Sequence, residues 1–464
     1  MAIKFGTDGW RAVIADEYTF DNLRKISKAT AIAFEGHPKI KNGIVIGYDT
    51  RFLSKEFSEC AAEVFANHGV KVFLTDSFVT TPTVSLLSRD KNLAYGVMIT
   101  SSHNPAKYNG FKLKDEFGGS MGPIHLNVIE ERLKDSDSFD YGSGTLVEFI
   151  NSGKIEYIKG KEYYRKTLEE KIETTKINSS GIKIIYDAMY GSGQGMMEGI
   201  INFTALRSEV NPSFGGSSPE PVRKNLDLIS SEIKNGSYDI GIVTDGDADR
   251  IAIFDENGEF VDAQKTFALL LTYMVENKKM TGGVVRGFSS SDVIKEICDE
   301  YGLKLYTVPI GFKYISELMI KEDILIGAEE SGGIGLKHHL PERDGIFNGM
   351  MFSEMLAVKK KKMSELISEI EKKYGKYYYK RIDQHLSSNE LKSELIELTK
   401  GLKEVAGLKV IGQDTLDGCK LLFENGWLLV RASGTEPLLR IYTETTGENK
   451  TEEILSDIKK KFKL

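Results

Sequence analysis

Tyr238-Asp239-Ile240-Gly241-Ile242-Val243-Thr244-Asp245-Gly246-Asp247-Ala248-Asp249-Arg250 is an apolar run that ends in three carboxylates at alternating positions. The run from Tyr238 to Val243 reads as a buried strand. Ligands of open α/β folds gather at the carboxyl ends of strands, where Asp245, Asp247 and Asp249 stand. Carboxylates this close repel one another unless a cation sits among them, and hard oxygen donors suit Mg²⁺ or Ca²⁺. The rival reading is a calcium loop between helices, with Asp at positions 1, 3 and 5, Gly at 6 and Glu at 12. Counting from Asp245, Glu256 falls at position 12, but Arg250 stands at 6 and Ile251 to Phe254 reads as a strand. A strand-loop-strand site for Mg²⁺ with few protein ligands and open positions is therefore favoured. The plain alternative is a solvated acidic turn.

The same pattern echoes elsewhere. Ile44 to Asp49, Ile182 to Asp187 (then Gly191-Ser192-Gly193), and Gly283 to Gly287 (then Ser289-Ser290-Ser291) are apolar strands running into polar turns. Helical patterns follow, as in Ser54 to Asn67 and Ser291 to Glu300. Three related α/β units are expected, although any α/β protein shows some such echoes. The polar stretch Asn151 to Lys161 ends a first unit, 1–150. A second, 151–257, holds the acidic loop, and a third, 258–375, closes with the amphipathic helix Lys361 to Lys373. The remainder, 376–464, differs in style. Strands at Lys376 to Arg381 and Leu439 to Glu444, a hairpin signal at Glu424-Asn425-Gly426, and helices at Ser388 to Lys400 and Thr451 to Phe462 suggest a small α+β domain.

A chain of 464 residues suits three or four domains at roughly 100–200 residues each. Apolar residues at 41% and charged residues at 28% describe a water-soluble globular chain. The longest apolar run, Phe267 to Val275, is far short of a membrane span, and with strand-like residues from Ile3 to Gly9 no signal peptide is expected. Three scattered cysteines, Cys60, Cys298 and Cys419, fit free thiols in a reducing compartment, so a cytoplasmic location is expected. A net charge of −7 argues against a nucleic-acid surface.

Four further segments carry chemistry. Met98-Ile99-Thr100-Ser101-Ser102-His103-Asn104-Pro105 ends a strand in hydroxyls and a turn, and Phe111-Lys112-Leu113-Lys114 reads as the return strand. Ser102 is then displayed beside His103 and Lys112, a hydroxyl with a base and a cation to activate it. An ordinary polar hairpin fits the spacing equally. Arg431-Ala432-Ser433-Gly434-Thr435-Glu436-Pro437 with Arg440 offers guanidinium forks and turn N–H groups to a phosphate, the alternative being an Arg431–Glu436 ion pair. Gly327-Ala328-Glu329-Glu330-Ser331-Gly332-Gly333 suits sugar hydroxyls, or is a polar loop. Phe5-Gly6-Thr7-Asp8-Gly9-Trp10-Arg11 presents another guanidinium on a glycine-loosened backbone. A cleft between the domains would gather these features around a sugar phosphate, held at one end while the other reacts at the serine.

Together the segments resemble, in order and over nearly the whole chain, the α-D-phosphohexomutase superfamily of phosphoglucomutases and phosphomannomutases. The resemblance implies three similar mixed-sheet α/β domains and a smaller C-terminal α+β domain around a central cleft. It implies that Ser102 is a phosphoserine and that Asp245, Asp247 and Asp249, with a phosphoserine oxygen, hold one Mg²⁺ per chain. Arg11, His103 and Lys112 would surround that group, Lys112 being the candidate acid/base. Arg250, Gly311, Lys313, Glu329, Ser331 and Arg343 would contact the sugar phosphate. Arg431, Ser433, Gly434, Thr435 and Arg440 would hold the non-reacting phosphate. The implied reaction interconverts hexose 1-phosphate and hexose 6-phosphate through a bisphosphorylated sugar, with hexose 1,6-bisphosphate as primer. Sugar phosphates are the expected partners, with no nucleic acid and no membrane, and the chain is expected as a monomer or homodimer.

One departure bears on the sugar. Many phosphomannomutase-type members carry His at the end of the Glu-x-Ser-Gly loop, where this chain has Gly333. His338-His339-Leu340-Pro341-Glu342-Arg343-Asp344-Gly345 looks more like glucose-preferring relatives, so glucose is expected before mannose. Two rivals stand beside the mutase: a phosphatase in which water removes the group from Ser102, and a sugar-phosphate or calcium-binding protein without chemistry.

Overall fold

The computed structural model describes residues 3–6, 8–386, 388, 390–432 and 438–463. The first sheet runs Trp10–Val13, Tyr108–Lys114, Gly96–Ile99, Ile44–Tyr48, Val72–Thr75, Ile155–Ile158. The second runs Phe260–Val261, Ile251–Phe254, Ile240–Thr244, Ile184–Asp187, Thr204–Leu206, and the third Ile334–Leu336, Ile324–Ala328, Gly283–Gly287, Leu305–Val308. Each repeats one plan. A first strand (Ile44–Tyr48, Ile184–Asp187, Gly283–Gly287) lies parallel between two neighbours, and one of those neighbours turns back into an antiparallel strand. The turning pairs are Gly96–Ile99 with Tyr108–Lys114, Ile240–Thr244 with Ile251–Phe254, and Ile324–Ala328 with Ile334–Leu336. Their loops carry Ser102, the three aspartates and Glu329. First strands buried along most of their length read as largely apolar runs, Arg286 and Asp187 excepted, which is why the repeat shows in the sequence.

The strand Ile155–Ile158 lies past residue 150, within the polar stretch at which the first unit is expected to end, yet it pairs parallel with Val72–Thr75 and completes the first sheet. It reads as polar because an edge strand meets solvent: Glu156 and Tyr157 are exposed and only Ile155 is buried. One core runs through all three units, joining Val84 and Leu87 to Leu168, Tyr186, Ile242, Ile326 and Met350. Burying so continuous an apolar set fixes the three sheets against one another.

The last unit is an antiparallel sheet, Tyr378–His385, Leu438–Thr445, Gly426–Ala432, Cys419–Phe423, Gly412–Asp414, with helices Glu390–Gly401 and Glu448–Phe462. Its core of Leu395, Leu421, Leu428, Ile441 and Ile454 is separate. A small cluster, Phe288 with Trp427, Leu429 and Tyr442, joins it to the third unit. The expected class is what the chain forms, three mixed-sheet α/β units and a smaller α+β unit. All three cysteines are free and buried, and no helix among the described residues is long and apolar enough to cross a membrane.

Candidate active site

The serine loop and the acidic loop meet at Ser102. Its Oγ donates to Asp245 Oδ2 at 2.8 Å and lies 3.2 Å from His103 Nδ1. Asp245 Oδ1 accepts the backbone N–H groups of Asp249 and Arg250 at 3.0 and 3.1 Å, which curls the acidic loop back on itself. Gly246 is required where it stands, since a Cβ there would lie 2.4 Å from the carbonyl oxygen of Ser102. Thr81, at the start of helix Thr81–Asp90, ties the loop to the first unit through its hydroxyl and Asp247 Oδ2 at 2.6 Å.

The three aspartates are fully buried, and each brings one oxygen within 4.8 Å of the others. Lys112 Nζ takes Asp247 Oδ2 at 2.7 Å and Asp249 Oδ2 at 3.0 Å. The second oxygens, Asp247 Oδ1 and Asp249 Oδ1, are buried without a hydrogen-bond partner among the described residues. Buried acceptors left without a donor are costly. With Asp245 alongside they form a hard, all-oxygen donor set that fits a divalent cation such as Mg²⁺. Without that charge, burial and the neighbouring Asp247 and Asp249 push Asp245 well above the usual carboxylate range. Burial pushes Asp247 the same way, but Lys112 and Thr81 outweigh it and hold it below that range.

Lys112 is fully buried and also meets Asp8 Oδ2 at 2.9 Å. Burial disfavours its charge, but Asp247, Asp249 and Asp8 outweigh that and keep it an ammonium. Arg343 completes the network. Its Nη2 lies 2.8 Å from both Asp8 Oδ2 and Asp249 Oδ2, its Nε 3.2 Å from Glu342 Oε1, and its Nη1 3.8 Å from Glu329 Oε2. One guanidinium thus links carboxylates from all three α/β units. Gly333 has a physical reason here, because a Cβ on it would lie 2.4 Å from Arg343 Cδ. The stem of Arg343 fills the space that a side chain at 333 would need.

The other expected residues fall around this centre. Arg11 Nη1 donates to Asn104 Oδ1 at 2.7 Å, bracing the serine loop. Burial together with Arg250, Arg11 and Lys112 holds His103 well below the usual imidazole range, so its ring is neutral. Arg250 lies 3.9 Å from Glu220, with its Nε buried and without a partner among the described residues. Burial pushes Glu329 up to about 7, against the pull of Arg343. Gly311 precedes helix Phe312–Lys321, whose Phe312 ring lies 5.3 Å from the Arg343 guanidinium, while Lys313 lies over Tyr314. Ser331 stands in the loop between Ile324–Ala328 and Ile334–Leu336.

In the last unit Arg431 and Arg440 face each other in register on adjacent strands. Arg431 Nε pairs with Asp417 Oδ2 at 2.7 Å, and Asp417 also accepts the N–H of Ile310 in the third unit at 2.9 Å. Ser433, Gly434 and Thr435, with Glu436 and Pro437, lie outside the described residues, as does Thr7. Asp8, Thr81 and Glu342 escaped the reading of the sequence. Asp8 and Glu342 sat in quoted motifs valued for other residues, and the partner of Thr81, Asp247, is remote in the chain.

The chain matches four family models, described as phosphoglucomutase/phosphomannomutase alpha/beta/alpha domain I over residues 2–140, domain II over 161–258, domain III over 262–374, and C-terminal domain over 390–461. A phosphoglucomutase/phosphomannomutase of Thermococcus kodakarensis is 28% identical over 461 residues, covering 98% of this chain and 97% of the relative. A phosphoglucosamine mutase of Methanococcus maripaludis is 30% identical over 425 residues, covering 89% of this chain and 90% of the relative. A crystal structure from Thermus thermophilus, carrying the provisional name phosphomannomutase, is 31% identical and covers 100% of both chains with a TM-score of 0.88.

Proposed function

The chain belongs to the phosphoglucomutase/phosphomannomutase family of phosphohexomutases, and we propose that it interconverts the 1- and 6-phosphates of glucose through a phosphorylated Ser102. The observation that carries this reading is the Ser102 hydroxyl 2.8 Å from Asp245, on the rim of a buried three-aspartate cluster in which Asp247 Oδ1 and Asp249 Oδ1 have no hydrogen-bond partner among the described residues.

Ser102 gives its phosphoryl group to the free hydroxyl of a hexose monophosphate. The resulting bisphosphate turns end for end, and Ser102 takes back the group that was the spectator. A hexose 1,6-bisphosphate primes the cycle by loading the serine. Mg²⁺, when held by Asp245, Asp247, Asp249 and an oxygen of phosphorylated Ser102, supplies positive charge against the transferring group. Arg11, Lys112 and Arg250 surround the group with further positive charge, and neutral His103 adds a hydrogen bond. Lys112, kept as an ammonium by its carboxylates, holds its proton firmly and so serves first as positive charge, while remaining the candidate acid/base.

Arg431 and Arg440, with Ser433 to Thr435, hold the spectator phosphate from either end of the sugar. A phosphatase working through Ser102 would have no use for that second anion site. Glucose is put first on the stretch His338 to Gly345, which looks like that of glucose-preferring relatives. Gly311 and Lys313 would close over the sugar beside Glu329 and Ser331.

The test is a coupled assay with glucose 1-phosphate, mannose 1-phosphate and glucosamine 1-phosphate side by side, with Mg²⁺ and bisphosphate primer. Glucose 1-phosphate is expected to exceed glucosamine 1-phosphate by at least ~10-fold in kcat/KM. The reverse order would overturn the sugar assignment, and release of inorganic phosphate in place of hexose 6-phosphate would overturn the mutase.

A further inference from the structure

We infer that Arg51 is the positioning residue that holds Ser102 in the backbone conformation from which the phosphoryl group is passed, an inference that rests on the reading of Ser102 above. Ser102 stands at φ +52°, in the left-handed region that L side chains adopt only at a steric cost. Such a residue persists where its surroundings over-determine it. Arg51, 3% exposed, provides that constraint. Its Nη2 donates to the carbonyl oxygens of Ser102 at 2.6 Å and Asn104 at 2.7 Å, and its Nη1 to those of Pro105 and Tyr108 at 3.0 Å each. One planar cation thus gathers four carbonyls of the serine loop, with charged donors that make the stronger kind of hydrogen bond.

Asp49 sets the guanidinium in turn. Its Oδ2 lies 3.2 Å from Arg51 Nε and accepts the Thr100 hydroxyl at 2.6 Å, while its Oδ1 accepts the Arg51 N–H at 3.0 Å and the Ser54 hydroxyl at 2.8 Å. The Phe214 ring of the second unit covers the guanidinium at 4.8 Å. These contacts go to the main chain of the serine loop, so Arg51 acts through Ser102 and not on the reacting atoms. A lysine, with a point charge on a flexible stem, cannot span four carbonyls in one plane.

In the loading step the Ser102 Oγ–P bond forms as the P–O bond to the bisphosphorylated sugar breaks, and the serine proton goes to the leaving sugar oxygen. A displacement of about 1 Å in Oγ slows such a transfer by ~10²-fold without weakening the ligand. The test uses the full chain, parent, R51K and R51A, in Mg²⁺ with glucose 1,6-bisphosphate. Phosphoryl uptake is timed by quenched intact-mass measurement, and bisphosphate affinity and Tm are measured alongside. R51K is expected to load ~10- to 100-fold more slowly, with affinity within ~3-fold of the parent. Free guanidinium, but not an equal concentration of methylammonium, should speed R51A. Loading of R51K at the parent rate, or a loss confined to affinity, overturns the inference. Should R51A not fold, R51K decides alone. If the parent itself takes up no phosphoryl group, the reading of Ser102 fails and Arg51 falls with it.

Discussion

Replacing Gly333 by alanine probes the network around Arg343 without touching a charged group. The new Cβ would lie 2.4 Å from Arg343 Cδ and 3.0 Å from its Cγ. Carbon atoms in contact settle at about 3.5–4.0 Å, so the stem must retreat by about 1 Å. It has little freedom to do so, because its guanidinium sits 2.8 Å from both Asp8 and Asp249. Lengthening those bonds by about 1 Å takes both past useful hydrogen-bond range. Overpacking costs about 1–3 kcal/mol and the two charged hydrogen bonds together about 3–6 kcal/mol, so a destabilisation of about 4–9 kcal/mol is expected if both are lost. With Asp249 and, through Asp8, Lys112 both disturbed, kcat/KM should fall by ~10²-fold. Urea unfolding and the coupled assay read the two effects. In an R343A background the same substitution keeps only the 3.2 Å approach to Glu329 Oε2 and should cost little, so the coupling is close to the whole cost in the parent. If Gly333→Ala costs under about 0.5 kcal/mol and leaves kcat/KM within about twofold, the stem of Arg343 is not pinned and the reasoning is refuted.

Thr81→Val removes the hydroxyl that holds Asp247 Oδ2, so Mg²⁺ affinity should fall by ~10- to 100-fold in a metal titration, while Tm in chelator changes little. Glu329, pushed up to about 7 by burial, keeps a proton in the folded chain that the unfolded chain has already released. Its contribution is therefore fully present below the ordinary glutamate range and lost as pH rises through about 7, with a slope of at most about 1.4 kcal/mol per pH unit. E329Q should lack that slope, and parallel profiles for parent and variant from acid to neutral pH would contradict it. Asp8 has the opposite sign: burial pushes it up, but Lys112, Lys114 and Arg343 outweigh that and hold it well below the usual range. Its contribution is present above that range and lost as pH falls through it, so D8N should show a shallower acid limb on unfolding.

Much of this was legible because the telling residues are neighbours in sequence. Asp245 to Arg250 sit on one loop, and the first strands of the three sheets announce themselves by largely apolar runs. The hairpin at Glu424-Asn425 is a two-residue turn, with Phe423 paired to Gly426, as turn chemistry suggests. What escaped depends on contacts across the chain. Asp8 meets Arg343, and Thr81 meets Asp247, only once the sheets have packed. Arg51 lies in a strand-turn echo, and nothing local says that its guanidinium faces the serine loop. Arg431 pairs with Asp417, from another strand connection, a partner that sequence proximity does not point to.

Passage of the phosphoryl group through Ser102 is tested most directly by quenching the enzyme during turnover and mapping its peptides by mass, with S102A alongside. A phosphoryl group on the peptide holding Ser102, together with loss of turnover but retained glucose 1-phosphate binding in S102A, is the predicted result. An S102A chain that interconverts the two phosphates at near the parent rate would contradict the account.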